Sequence, residues 1–328
     1  MDYTSKSNYK NCVIVGRVGA YCGSVFYEKN ECWVSNNAIA VLPKNNNDMQ
    51  FIYYLLKTLN LNKRHIGTGQ PLLTQNILNE IELYIPDIQT QKNIASFLSV
   101  YDDLIENNQK QIRLREEASQ RLYKEWFVDL HFPDYENTEI VDGVPSGWRI
   151  GRLDELGEFK RGKTITKDSV IVGNVPVVAG GFEPAYYHNT ANTTAPVITV
   201  SGSGANAGFT KMYHVDVWAS DCSFIDINST NYLYQIYCYL KASKADLKIL
   251  QKGSAQPHVY AKDINAMKCL IPDEKIAIQF NKFVCPIFSK IGNLYEQIEK
   301  LKEARDRLLP KLMNGKIDIS DIKNIKES

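Results

Sequence analysis

Two clusters in this chain of 328 residues combine side chains whose types and spacing could do chemistry. The first is KRGKTITK, where Lys160, Arg161, Lys163 and Lys167 surround a glycine in a loop that also carries Thr164. Ammonium groups so placed can contact phosphates, and an arginine fork can also grip a guanine edge at two points. A solvated basic loop has the same composition, so both readings stand. The second is GSAQPHVYAKDI, in which Gln256, His258 and Tyr260 follow a turn. Glutamine pairs well with an adenine edge, while Pro257 suits a packing turn equally. Ser203 and Asn206 of SGSGANAG are further polar candidates. That stretch has the glycine content of a phosphate cradle but lacks the GK[ST] ending of a P-loop, which favours a structural turn. Lys241, Lys244, Lys248 and Lys252 fall on one helical face, as solvated helices also show.

Catalytic signatures are weaker. PDEK at residues 272–275 has the Asp and Glu-x-Lys of some nucleases, but its counterpart at residues 86–89 is PDIQ, so the shared element is a helix cap. No Asn-Pro-Pro-aromatic motif and no dinucleotide fingerprint with its acidic partner is present, and the 5 histidines form no HExxH. The chain is therefore expected to be non-catalytic. The 7 cysteines include no CxxC pair and no histidine at metal spacing, which points to reduced thiols and no metal site. A net charge of +1 gives no global basic field, so a nucleic-acid partner must be met by a local patch. No apolar run is long enough for a membrane span and the N-terminus has no leader pattern, so a cytoplasmic location is expected.

These clusters sit in an imperfect tandem duplication. GTGQPLLTQNI at residues 67–77 returns as GSAQPHVYAKDI at residues 253–264, and Gln70-Pro71 lies 186 positions before Gln256-Pro257. The same offset joins Ile85-Pro86-Asp87 to Ile271-Pro272-Asp273, and Gln111-Ile112 to Gln297-Ile298. With one residue of slip, VGAYCG matches SGANAG and Trp33 matches Trp218. A period this long means two domain-sized units rather than a solenoid. Each unit begins with short Val-, Ile- and Thr-rich runs between Gly, Asn and Ser, which read as strands, and includes a helix at NYLYQIYCYLKAS or its equivalent. In the first unit the candidate contacts are Lys63, Arg64, His65 and Gln70. Residue 1 aligns with residue 186, so the first unit is expected to be truncated relative to the second.

Each unit ends in a long helix, capped by Asp273 in the second and Thr90 in the first. Phe280, Val284, Ile287, Ile291, Leu294, Ile298, Leu301, Leu308 and Leu312 advance by alternating steps of four and three, interrupted by Arg305, as in a coiled-coil seam. Ile94, Leu98, Tyr101, Ile105, Asn108, Ile112, Arg115, Ser119, Leu122 and Trp126 repeat the pattern more weakly. Two such seams most simply bury each other; a partner protein is the other cover.

RLYKEWFVDLHFPDYE after the first helix, VPSGWRIGRLDELGEFKRGKT opening the second β-rich part and RDRLLPKLMNGKIDI closing the second helix together resemble the specificity subunit of type I restriction-modification enzymes. The resemblance runs from about residue 12 to residue 320. It implies an α+β fold of two β-rich target recognition domains separated by two long helices that pair as an antiparallel coiled coil. The parts would be a truncated recognition domain (1–88), a helix (89–130), a linker (131–147), a second recognition domain (148–272), a second helix (273–315) and a tail (316–328). It implies further that each recognition domain reads one half of a split site in double-stranded DNA. The helices would act as a ruler and dock two methyltransferase subunits, and through them the restriction and translocase subunits. S-adenosylmethionine and ATP are expected in those subunits, with no cofactor here. A coiled-coil scaffold, or a half-specificity subunit reading one half-site or needing a second chain, is the alternative.

Overall fold

The computed structural model describes residues 4–44, 46–67, 69–253, 256–317 and 319. Parts of both glycine turns (Thr68, Ser254, Ala255) and most of the expected tail (318 and 320–328) lie outside the described residues. In chain order the main elements of the first half are β1 (Tyr9–Gly16), β2 (Val25–Cys32), β3 (Ala38–Val41), α1 (Met49–Thr58), α2 (Gln75–Asn79) and α3 (Ile88–Phe127). There follow β4 (Ile140–Val141), β5 (Val144–Pro145), β6 (Arg149–Arg152), β7 (Lys160–Arg161), β8 (Val172–Val178), β9 (Tyr186–His188) and β10 (Val197–Ser201). The rest are β11 (Thr210–Tyr213), β12 (Trp218–Ala219), β13 (Cys222–Asp226), α4 (Leu233–Ala242), α5 (Lys244–Ile249), α6 (Ala261–Asn265), β14 (Lys268–Ile271) and α7 (Glu274–Met313). The chain is thus α+β, with two β-rich parts and two long helices. It divides into two compact units, one of Met1–Asn107 with Ile298–Ser328 and one of Asn108–Gln297.

The first unit holds a three-stranded antiparallel sheet in the order β2-β1-β3. Val13 and Val15 of β1 are fully buried, and alternation along the strand turns them to one face, where they meet Ile39, Met49, Leu56 and Leu73. Asp48 starts α1 by accepting from the Phe51 amide at 2.8 Å. The other face of α1 carries Phe51 and Tyr54 onto Ile94 and Leu98 of α3 and Leu309 and Leu312 of α7.

The second unit repeats this plan and adds to it. Its sheet runs β11-β10-β13, the same order as β2-β1-β3, but β13 gains a further antiparallel neighbour in β7. Among the described residues, a second sheet, β12-β8-β9, and the β14-β6 pair occur only in this unit. The duplication extends to single bridges. Leu72 pairs with both Val18 and Ile66, and 186 positions on, His258 pairs with both Ser203 and Lys252. Gly67 and Gly253, at φ +88° and +96°, make the same left-handed turn, where a Cβ would press within 2.7 Å of the carbonyl oxygen of Gln70 or Gln256.

Each long helix of 40 residues gives one half to each unit. Within each unit the two halves pack antiparallel: Asp102 binds Arg305 in the first, while in the second Asn108 donates to Gln297 at 3.4 Å and Trp126 lies 5.6 Å from Phe280. Arg305, the cation interrupting the seam, is held at Asp102 Oδ1 (2.5 Å), whose other oxygen accepts from the Tyr54 hydroxyl at 2.6 Å. Burial pushes the Tyr54 phenol well above its ordinary range, with the Asp102 hydrogen bond adding to the effect.

Of the seam residues, Ile105, Ile112, Ile291, Leu294 and Ile298 are buried, whereas Leu122, Leu301 and Leu308 are only half-buried. The deeper positions nearby are Tyr123, Phe288 and Leu309. The reason is a third helix in each unit. Phe288 stacks on Tyr234 of α4 at 4.8 Å, and Leu309 joins the α1 cluster, so the buried face is wider than a two-helix seam. The cap of α3 is Asp87 rather than Thr90. Its carboxylate accepts from the Gln89 and Thr90 amides and the Thr90 hydroxyl, and the Thr90 bonds lead in holding it below the usual carboxylate range. Asp273 occupies the same place before α7 and accepts from the Lys275 amide at 2.8 Å.

Candidate nucleic-acid interface

A cleft of about 430 Å³ in the second unit gathers side chains that are far apart in sequence. Arg161, Ser203, Gln256, His258 and Tyr260 line it, joined by Asp221 and Ser223. Three elements build its walls. Arg161 comes from β7, set opposite Ser223 in the ladder. Gly162 follows because a Cβ there would strike the Ser220 carbonyl at 2.3 Å and that of Ala219 at 2.7 Å, so only glycine lets the strand lie this close. The turn after β10 carries Ser203, which donates to the Asp221 carboxylate.

The third wall is the extended segment at residues 256–260. Main-chain bonds hold it on both sides: His258 and Lys252 exchange two amide-carbonyl bonds, Gly204 donates to Pro257 at 3.0 Å and Val259 donates to Gly202 at 3.1 Å. Val259 is buried, which turns His258 and Tyr260 to the opposite face. Their rings lie nearly parallel, 5.9 Å apart and 12° from coplanar.

The cleft therefore presents a cation, a carboxylate, two hydroxyls, an imidazole, a phenol and an exposed primary amide within one concavity. That is a hydrogen-bonding surface suited to base edges, where Arg reads guanine, Gln reads adenine and Asp accepts from cytosine. Burial pushes the thiol of Cys222, which also lines the cleft, up to about 12, so it offers no nucleophile. Among the described residues no three His, Cys, Asp or Glu side chains come together to hold a metal ion.

The remaining basic candidates lie outside these walls. Lys160, Lys163, Thr164 and Lys167 are exposed on the strand and loop around Arg161. The Lys163 ammonium sits 5.9 Å from the Trp218 ring centroid, and its carbonyl accepts from the Trp218 indole at 2.8 Å, which orders the loop. Asn206 ends the short turn at Gly204–Asn206. Lys252 pairs with Asp263 at 2.7 Å.

In the first unit, the 256–260 segment is matched by Gln70, Leu72 and Thr74, an amide followed by two side chains that offer no ring. Gln70 is exposed, as are Lys63 and Arg64, and the Arg64 guanidinium turns back to the Leu59 carbonyl at 3.4 Å. His65 is half-buried, its Nδ1 without a hydrogen-bond partner. Arg17 takes the position of Gly202 and donates to the Asn36 carbonyl at 3.3 Å. Asp221 and Arg17 are the residues that motif reading passes over. Neither belongs to a charge cluster, and only the position of Asp221 opposite the duplicated SGSGANAG turn marks it.

The sequence pattern described as "Type I restriction modification DNA specificity domain" matches residues 1–115 and 145–303. Among curated proteins the chain is similar to the type I restriction enzyme MjaIX specificity subunit of Methanocaldococcus jannaschii, with 28% identity over 92% of this chain and 76% of that protein. It is also similar to the HindI specificity subunit of Haemophilus influenzae, with 23% identity over 75% of this chain and 71% of that one. Among solved structures, a type I restriction-modification S subunit from M. genitalium superposes with a TM-score of 0.57 at 21% identity, covering 94% of this chain and 84% of that one.

Proposed function

Because this chain belongs to the type I restriction-modification DNA specificity family, we propose that it reads a bipartite site in double-stranded DNA on behalf of partner subunits that perform the chemistry. The observation that carries this reading is the cleft of the second unit, where Arg161, Asp221, Gln256, His258 and Tyr260 converge without a nucleophile among them. The cleft reads base edges of one half-site, and Lys160, Lys163 and Lys167 hold the flanking phosphates. The first unit reads the other half-site through Arg17, Lys63, Arg64 and Gln70. The long helices set the distance between readers and dock methyltransferase subunits, and through them the restriction and translocase subunits. S-adenosylmethionine and ATP act in those subunits, and the assembly works in the cytoplasm, where the DNA is.

Mapping N6-methyladenine in the host genome with and without this gene tests the proposal. A bipartite methylated motif should vanish on deletion, and an unchanged methylome would sink the reading. A second reading is favoured by the missing ring pair of the first unit. If that unit is silent, the lost motif will be one contiguous half-site, the mark of a half-specificity subunit.

Replacing Lys160, Lys163 and Lys167 by alanine should flatten the salt dependence of DNA binding by the assembled complex, by about 0.9 in log-log slope for each phosphate no longer neutralised. Affinity measured across a salt series checks this. An unaltered slope would leave the loop merely solvated.

A further inference from the structure

In the second unit a row of bridged residues, Ser203, His258 and Lys252, runs beside the cleft, and the first two line it. The first unit repeats this row with the opposite chemistry. Ile66 and Leu72 lie 186 positions before Lys252 and His258, Val18 lies 185 before Ser203, and the same bridges join them. Ile66 and Leu72 exchange two amide-carbonyl bonds of 2.9 Å, Gly19 donates to Pro71 at 3.1 Å and Leu73 donates to Arg17 at 2.8 Å, the pattern that fastens residues 256–260. Side chains directly opposite in an antiparallel pair project from one face. Leu73, like Val259, is buried, so alternation turns Leu72 outward with Val18 and Ile66 beside it. On one backbone, a hydroxyl, an imidazole and an ammonium have given way to three aliphatic groups, of which Ile66 is 54% exposed and the others half-buried.

Aliphatic groups neither donate to a base nor accept from one, and setting them over an amino or carbonyl edge strips that edge of water without replacing the bond. Among the groups that base pairs present in the major groove, the C5-methyl of thymine is the apolar one. Gln70, exposed two positions before Leu72, carries an amide suited to adenine, so both chemistries lead to A·T pairs. The surroundings favour nucleic acid over an apolar protein as the occupant. Arg17 adjoins Val18, Lys63 and Arg64 shortly precede Ile66, all three are exposed, and residues 3–27 and 49–79 contain no Asp or Glu. A polyanion is what such a surface attracts. In the second unit this face borders a cleft even with β7 added to the sheet, so a further strand there does not occupy the row.

We infer that Val18, Leu72 and Ile66 of the first unit select thymine in its half-site by packing against C5-methyl groups in the major groove. The inference rests on the proposed function and names the bases that this unit prefers.

Replacing thymine by uracil, one position at a time across the methylated motif, removes a single methyl and leaves base pairing and phosphates as they were. The assembled complex should bind such duplexes more weakly at thymines of one half-site, by roughly fourfold for each methyl that the row buries, with the salt slope unaltered. Ile66→Ser, at the most exposed of the three positions, should shrink that penalty. Combined with Leu72→Ser it should abolish the penalty while the other half-site keeps its preferences. Uracil tolerated at every position, with specific binding otherwise intact, overturns the inference and leaves the proposed function standing. So does a penalty that neither variant changes, or a contiguous motif read by the second unit alone. Loss of methyltransferase binding by the variants in the absence of DNA, seen by size-exclusion chromatography, overturns it too, since a protein then covers the row. A methylome unchanged on deletion of the gene is the separate result that ends the proposed function, and the inference with it.

Discussion

Replacing Phe280 by alanine is expected to cost the second unit about 3–5 kcal/mol of stability, the range for truncating a fully buried aromatic. Phe280 has no exposed surface and stands at the centre of a ring cluster, with Phe127 at 5.0 Å, Trp126 at 5.6 Å and Tyr123 at 6.1 Å, all edge to face. Such pairs contribute beyond their area, and the hole left by the ring is walled by rigid side chains on two helices that cannot close over it. Urea unfolding followed by tryptophan fluorescence measures the loss, since Trp126 is itself in the cluster. Phe283→Ala serves as the control. It removes a ring of the same size that is 55% exposed and touches Trp126 from outside, and its cost should stay near 0.5 kcal/mol. Equal costs for the two would mean that the cluster does not hold the helix pair.

Substitutions in the cleft should act on binding and leave stability alone. Arg161→Ala and Gln256→Ala should each weaken specific DNA binding by the assembled complex by about 1–3 kcal/mol, roughly five- to 150-fold. The two differ in kind. Arg161 carries charge, so its loss should also lower non-specific affinity and the salt slope, while Gln256 is neutral and its loss should leave both unchanged and relax the preference at one base pair. Competition between specific and unrelated duplexes separates these effects. If Gln256→Ala lowers affinity for both duplexes alike, the residue shapes the turn and reads no base.

Much of this architecture was legible because duplication leaves an offset that can be followed residue by residue. Gln70 and Gln256 located the paired turns, and the bridges at Leu72 and His258 are the same structure twice. The clustering of Arg161, Ser203 and Gln256 in one cleft was anticipated only as three separate motifs, since local patterns say nothing of the β7–β13 ladder that joins them. Asp221 went unread because an isolated carboxylate before a strand has no signature. The seam was legible at both ends, where Phe280, Val284, Leu312, Ile94, Leu98 and Trp126 are buried, and it shifted by one residue at a few places between. Leu122 and Leu308 satisfy a two-helix repeat, but α4 and α1 draw Tyr123, Phe288 and Leu309 inward, an effect of tertiary packing that periodicity cannot encode. Thr90 has the right chemistry for a cap, yet Asp87 reaches the free amides first.

The main-chain bonds that fasten residues 256–260 have a consequence for how such a chain can change over generations. Amides and carbonyls of residues 202, 204, 252, 257, 258 and 259 secure the segment, so its shape draws little on the side chains of Gln256, His258 and Tyr260. Exchange at those three positions alters what is presented to a partner at little cost to folding, as the first unit already shows by carrying leucine and threonine at two of the same places with its bridges intact. Scaffold and message are inherited on different atoms. A lineage can therefore change what these positions present by point substitution, each intermediate still folded, and need not pass through a broken protein to reach a new one.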